Sequence, residues 1–134
     1  MTSLAYLLDT DWIIDWFSGH PGVGRRLREI RGEGLAISVV SLAELYEGVH
    51  YSREPAHAGR QLSQFLGDVT LIGVDRETCD MFGQERGRLR AAGTLIGDFD
   101  LLIGVTAVRH DLTLLTNNRR HFALIAGLRI ESRQ

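Results

Sequence analysis

Acidic residues lie at the ends of apolar segments at several points of the chain. The acids concerned are Asp9, Glu44, Asp98 and Asp100. In open parallel sheets, ligands bind outside the carboxyl ends of the strands, so acids that follow strands are candidate site residues. Carboxylates that meet there repel one another unless a hard cation lies between them.

Hydroxyl and amide oxygens accompany these acids in Thr116, Asn117 and Asn118, which follow another apolar run. Oxygen ligands of this kind select Mg²⁺ or Mn²⁺, ions that keep several waters and bridge to phosphate. A water activated by such an ion can attack phosphorus, and the ion stabilises the charge that develops. The residues therefore predict metal-dependent hydrolysis of a phosphodiester bond.

The chain contains no lysine, because all 15 of its Lys and Arg residues are arginine. Reactions that need a lysine, such as a Schiff base or a Walker-type phosphate loop, are therefore excluded. Arginine suits planar contact with phosphate, and clusters of it could contact a phosphate backbone or form solvated helix faces. One such cluster is Arg119 and Arg120.

Alternating strands and helices must position the acids. Apolar runs predict strands at residues 4–8, 35–40, 69–74, 112–116 and 128–131, and helices at residues 11–17, from Pro21, at 41–51, from Pro55, at 76–92, at 101–108 and around 120–125. Parallel neighbours need crossover connections, so this order predicts an α/β fold with a parallel sheet and helices on both faces.

Helix capping offers a structural explanation for some of the acids. Ser41 and Glu44 have the spacing of a capping box, which would account for the glutamate without any function. Asp98 and Asp100 could cap a helix or favour its amino end. Capping explains both aspartates less well, because Asp100 opens an apolar helix and buried carboxylates are costly unless paired or bound to a cation.

The length of 134 residues predicts one domain, residues 1–134, with its own core. The net charge of −2 does not indicate nucleic-acid binding by the molecule as a whole. No apolar run reaches the length of a membrane span, and the first residues lack the pattern of a signal peptide. A cytoplasmic protein without membrane contact is expected.

Four motifs of the sequence resemble those of the PIN domain, in the order and spacing of that family. They are Leu7-Leu8-Asp9-Thr10-Asp11, Ser41-Leu42-Ala43-Glu44-Leu45, Ile96-Gly97-Asp98-Phe99-Asp100-Leu101-Leu102-Ile103 and Leu115-Thr116-Asn117-Asn118-Arg119-Arg120-His121-Phe122. Each motif alone is a weak indication of the family, and the four together are a strong one. In size and detail the chain resembles the VapC toxins of type II toxin–antitoxin pairs.

The resemblance implies a Rossmann-like α/β/α sandwich with about five parallel strands, acting as an Mg²⁺- or Mn²⁺-dependent endoribonuclease. In that family pattern Asp9 and Asp100 bind the metal, Glu44 positions the metal or its water, and Asp98 contributes to the acidic pocket. Supporting hydrogen bonds would come from Thr10, Thr116 and Asn118.

One position departs from the family pattern. His121 stands where many PIN domains carry a fourth acid just before the phenylalanine of the last motif, which leaves a second metal in doubt. The histidine could support the loop, bind metal or contact phosphate.

The resemblance also implies partners. An RNA substrate, a homodimer and a cognate VapB-type antitoxin are expected. The two tryptophans are expected first of all to pack in the core, with a dimer or partner surface as the alternative. In that alternative, Trp12, Trp16 and Tyr46 form a candidate groove for the antitoxin's carboxyl-terminal segment.

Two other functions stay open. A PIN fold could bind nucleic acid or a partner without cutting, although a phosphate binder gains nothing from concentrated negative charge. Leu8-Asp9-Thr10-Asp11 also resembles the strand-end motif of haloacid dehalogenase-type phosphatases, in which Asp9 would be a covalent nucleophile. That family's lysine is missing here.

Overall fold

A parallel sheet forms the centre of the computed structural model, which describes residues 3–133. Among these residues the sheet has five strands: β1 (Tyr6–Leu8), β2 (Leu35–Ser38), β3 (Thr70–Ile72), β4 (Thr113–Leu115) and β5 (Arg129–Glu131). Their spatial order is β3-β2-β1-β4-β5, and every pair of neighbours is parallel. The prediction of a parallel sheet of about five strands is confirmed.

Helices connect the strands and cover both faces of the sheet. In chain order they are α1 (Thr10–Phe17), α2 (Pro21–Ile30), α3 (Val39–His50), α4 (Pro55–Leu66), α5 (Arg76–Ala91), α6 (Asp98–Arg109) and α7 (Arg119–Phe122), with a short 3-10 turn at Arg31–Glu33. No helix within residues 3–133 has the length and apolar character needed to cross a membrane.

Two apolar layers lie on opposite sides of the sheet. Successive side chains of a strand point to opposite faces, so Leu7 packs in the layer under α5 and α6, whereas Leu8 packs in the layer under α1 to α4. Leu114 and Leu115 divide between the same two layers. The arrangement is the α/β/α sandwich expected from the sequence.

Trp12 belongs to the second of these layers and is wholly buried. Its indole N–H donates to Asn117 Oδ1 at 3.2 Å. The expectation of core packing is confirmed for Trp12, and its assignment to the candidate groove is wrong, because α1 turns this side chain onto the sheet. Trp16 and Tyr46 are exposed by 36% and 46%, so they stay available to a partner.

The start of α3 differs from the predicted capping box. The helix begins at Val39, and its N-cap is Ser38, whose Oγ accepts a hydrogen bond from the Val40 N–H at 3.0 Å. Ser41 is buried inside the helix, and its hydroxyl has no hydrogen-bond partner among the described residues. The capping box of Ser41 and Glu44 was wrong, so capping does not explain the glutamate.

The cap assignment predicts opposite effects for two serine substitutions. Ser38→Ala should lower the free energy of unfolding by about 1 kcal/mol, because an N-cap acceptor is lost. Ser41→Ala should leave stability unchanged or raise it slightly, since it removes an unpaired buried hydroxyl and improves helix propensity. Urea unfolding of both variants decides. A larger loss for Ser41→Ala would restore the capping box.

Candidate active site

Asp9 occupies the carboxyl end of β1, the central strand, and serves as the N-cap of α1. Its Oδ1 accepts from the Thr10 N–H at 2.8 Å. Its Oδ2 accepts from the Thr116 hydroxyl at 2.7 Å, and this hydroxyl lies just beyond the neighbouring strand β4. Only 6% of Asp9 is exposed. The carboxylate is therefore held in one orientation by the ends of two strands.

The turn after β4 also links Asp9 to Asp100. The Asn118 N–H donates to the Thr116 hydroxyl oxygen at 3.1 Å, and the Asn118 side-chain amide reaches Asp100 Oδ2 at 3.5 Å. His121 Nδ1 lies 3.2 Å from the same amide nitrogen and 3.6 Å from Asp100 Oδ2. Thr116, Asn118 and His121 thus lie together with the two aspartates at this edge.

Glu44 joins the same group from α3. Its Oε1 accepts from the Thr10 hydroxyl at 2.8 Å, and the backbone N–H of the same threonine donates to Asp9 Oδ1. One threonine therefore touches two of the predicted acids. The structure brings together Asp9, Glu44 and Asp100, residues that are far apart in the sequence.

Burial and mutual repulsion govern the charge state of these acids in the metal-free protein. The pKa of Asp9 is raised to about 7, first by burial, then by the charges of Asp11 and, to a smaller extent, Asp100, against the hydrogen bonds from Thr116 and Thr10. The pKa of Glu44 is raised by burial and by Asp100, and the Thr10 hydroxyl opposes this. Removal from water disfavours the ionised carboxylate, and a neighbouring negative charge disfavours it as well.

Asp98 does not share these hydrogen bonds. It lies in the first turn of α6 with 78% of its side chain exposed, and its Oδ1 accepts from Arg86 Nη2 at 2.5 Å. Arg119 and Arg120 are exposed on α7, directly after Asn118, and Arg119 donates to the Ile130 carbonyl at 3.3 Å.

The sequence pointed to no role for Asp11, and it indicated Asn117 only as one of the polar residues that follow β4. Asp11 Oδ2 accepts from the Asn117 N–H at 2.9 Å, while Asp11 Oδ1 is buried without a hydrogen-bond partner in the described part of the chain. Burial raises the pKa of Asp11. The sequence signal was an acid two residues beyond Asp9, in the first turn of a helix. Asn117 Oδ1 accepts from both Trp12 and the Arg133 N–H, so its contacts join α1 to the chain after β5.

The donor chemistry of the site fits a hydrated divalent cation. Within residues 3–133, no three His, Cys, Asp or Glu side chains are grouped closely enough to bind an ion by themselves. Mg²⁺ does not require such a group, because it keeps several waters and is held by one or two carboxylates. A cation would also offset the repulsion that raises the pKa of Asp9. Asp9 and Asp100 are the residues that could hold it.

Comparison with known proteins shows that nearly the full chain is similar to members of one family. A family model described as PIN domain matches residues 6–128. Ribonuclease VapC2 of Rickettsia felis is 31% identical over 131 residues, 96% of this chain and 98% of that protein. The tRNA(fMet)-specific endonuclease VapC of Salmonella typhimurium is 30% identical over 128 residues, 96% of this chain and 97% of that protein.

Solved structures give the same result. VapBC2 from Rickettsia felis, bound to a DNA fragment from its promoter, contains a chain that matches with a TM-score of 0.92 and 30% identity, covering 98% of this chain and all of that one. DNA-bound VapBC from Salmonella typhimurium matches with a TM-score of 0.89 and 28% identity, covering 96% and 98%.

The raised pKa of Asp9 predicts how the stability of the metal-free protein depends on pH. A carboxyl with a higher pKa in the folded than in the unfolded state stabilises the fold at low pH, and this stabilisation is lost as pH rises through the folded pKa. With EDTA present, the free energy of unfolding should therefore fall between about pH 4 and pH 7.

Asp9→Asn provides the control, because asparagine keeps the acceptor for Thr10 but cannot ionise. Urea unfolding at pH 5 and pH 8 should show a smaller loss of stability for this variant than for the parent protein. An equal loss in both proteins would mean that Asp9 is already ionised in the folded state at low pH.

Proposed function

The chain belongs to the PIN domain family, and we propose that it is a divalent-metal-dependent endoribonuclease that acts as the toxin of a VapBC-type toxin–antitoxin pair. The observation that carries the proposal is the set of hydrogen bonds that joins Asp9, Glu44 and Asp100 through Thr10, Thr116 and Asn118. The similarity to proteins named as ribonucleases supports RNA as the substrate. We further propose that residues 1–134 act as a single PIN domain.

The two aspartates are proposed to hold Mg²⁺ or Mn²⁺. Both oxygens of Asp9 accept one hydrogen bond, from Thr10 and from Thr116, and each keeps a further lone pair for an ion. Asp100 is oriented toward the same edge by Asn118. When bound, the ion supplies an acidic water and neutralises charge on the scissile phosphate.

Glu44 is proposed to orient the attacking water. The Thr10 hydroxyl fixes Glu44 Oε1, which leaves Oε2 to accept a hydrogen bond from that water. Burial, together with the charge of Asp100, raises the pKa of Glu44, and a higher pKa makes its carboxylate a better proton acceptor. His121 supports the turn through Asn118. Arg119 and Arg120, exposed on α7, are proposed to contact the RNA backbone.

The partner is proposed to be a VapB-type antitoxin, because the matching solved structures are VapBC complexes. Trp16 on α1 and Tyr46 on α3 offer exposed aromatic surface that an amphipathic segment of such a partner could cover. A homodimer, which would place two acidic sites and their arginines on one RNA-binding surface, is part of the proposal.

A non-catalytic RNA-binding module is the second candidate. The geometry opposes it, because the carboxylates of Asp9, Glu44 and Asp100, gathered at one edge of the sheet, would repel a phosphate. Membership of the PIN family likewise leaves no support for a haloacid dehalogenase-type phosphatase.

Acid-to-amide substitutions test the proposal. Asp9→Asn and Asp100→Asn should abolish cleavage of structured RNA in Mg²⁺ or Mn²⁺ without loss of folding, because they remove ion ligands and relieve repulsion. Glu44→Gln should lower the rate roughly 10²- to 10⁴-fold, the range typical of a lost proton-transfer group. Cleavage is followed on gels, and folding by thermal unfolding.

Glu54→Gln is the control for Glu44→Gln, because Glu54 is an exposed acid whose charge is not among those that raise the pKa of Glu44. It should leave the cleavage rate unchanged. EDTA should stop cleavage by the parent protein. RNA that is bound but left uncut under every metal condition would instead favour the binding module.

A further inference from the structure

Arg86 on α5 makes contacts that the sequence did not suggest. Its side chain is only 14% exposed. Nη1 donates to the Ile96 carbonyl at 2.8 Å, Nη2 donates to Asp98 Oδ1, and the guanidinium carbon lies 5.5 Å from the centre of the Phe82 ring. One nearly buried arginine thus binds a backbone oxygen and a carboxylate while it stacks on an aromatic ring.

These contacts hold the segment that leads into α6. Residues 94–97 form neither helix nor strand. Gly97, the N-cap of α6, makes no side-chain cap hydrogen bond. Arg86 holds this segment from α5, because it donates to the Ile96 carbonyl before the helix and to Asp98 at the first position of the helix.

Asp100 lies in the turn that Arg86 anchors. Its contact with Asn118 is already long, at 3.5 Å, so a small shift of the helix start would break it. A displacement of about 1 Å at a reacting group can lower a rate 10²-fold. The position of Asp100 relative to Asp9 therefore depends on the contacts of Arg86.

We propose that Arg86 is a positioning residue that sets the location of Asp100, and that Asp98 acts through Arg86 instead of binding the metal. This inference rests on the proposed nuclease function. It replaces the sequence-based expectation that Asp98 contributes directly to the acidic pocket.

The surroundings of Asp98 fit this role. Most of its side chain is exposed, and its Oδ1 is occupied by Arg86. No hydrogen bond among residues 3–133 links Asp98 to Asp9, Glu44 or Asp100. The carboxylate of Asp98 therefore holds one end of the Arg86 guanidinium, while the Ile96 carbonyl holds the other. Lysine could not replace Arg86, since a single ammonium lacks the planar fork that reaches both the Ile96 carbonyl oxygen and Asp98 Oδ1.

The test uses the full chain with Arg86→Lys, Asp98→Asn and the double variant. Two quantities are measured: kcat and KM for a cleaved RNA, and the affinity for Mn²⁺ without RNA, from the loss of the free-ion signal in electron paramagnetic resonance. Arg86→Lys should lower kcat about 10- to 100-fold with little change in KM, because Asp100 is displaced.

Asp98→Asn should lower kcat less than Arg86→Lys and leave the Mn²⁺ affinity within about twofold, because in this account the residue binds no ion. In the Arg86→Lys background, Asp98→Asn should lower kcat almost no further, since both substitutions disturb the same Arg86–Asp98 contact. Arg76→Lys, at an exposed position at the start of the same helix, is the matched control and should behave as the parent protein.

Three results would overturn the inference. The first is a tenfold or greater loss of Mn²⁺ affinity in Asp98→Asn, which would make Asp98 a metal ligand. The second is a double variant in which the effects of the two substitutions on kcat add in full. The third is an unchanged kcat in Arg86→Lys. If Arg86→Lys fails to fold, the Mn²⁺ affinity of Asp98→Asn decides alone.

Cleavage and Mn²⁺ binding by the parent protein distinguish a failure of this inference from a failure of the proposed function on which it rests. Absence of both cleavage and Mn²⁺ binding in the parent would refute the proposed function and the inference together. A parent that cleaves and binds Mn²⁺, beside an Arg86→Lys variant with the same kcat, would refute the inference alone.

Discussion

Repulsion between carboxylates held at one edge of the sheet is the constraint on which the site depends. Asp9, Asp11, Glu44 and Asp100 come from different elements, and burial together with like charge raises the pKa of Asp9 to about 7. Neutral donors keep the acids together despite this repulsion, above all the hydroxyl of Thr116. An arrangement that is unfavourable without a cation is one that a divalent cation stabilises.

The sequence was informative where a local pattern determines the structure. Short apolar runs that end at polar residues predicted all five strands found among residues 3–133, although each strand is shorter than its apolar run. The ends of parallel strands share one edge, so the position of Asp9 beside Thr116 also followed from the order of the elements. These inferences needed only residue type and spacing.

Predictions failed where packing between distant segments determines which residue caps a helix or which side chain is buried. Two serines three residues apart could each cap α3, and β-branched Val39 and Val40 favoured a longer strand, but packing draws them into the helix and makes Ser38 the cap. Trp12 and Trp16 lie on one side of α1, and only the position of the sheet shows which is buried.

Diffraction from crystals soaked in Mn²⁺, with the anomalous signal of the metal, tests the central claim most directly. The account predicts a peak bound to a carboxylate oxygen of Asp9 and one of Asp100, each at about 2 Å, with waters completing the coordination. A peak bound elsewhere, or none at the sheet edge while both carboxylates are ordered, would contradict it.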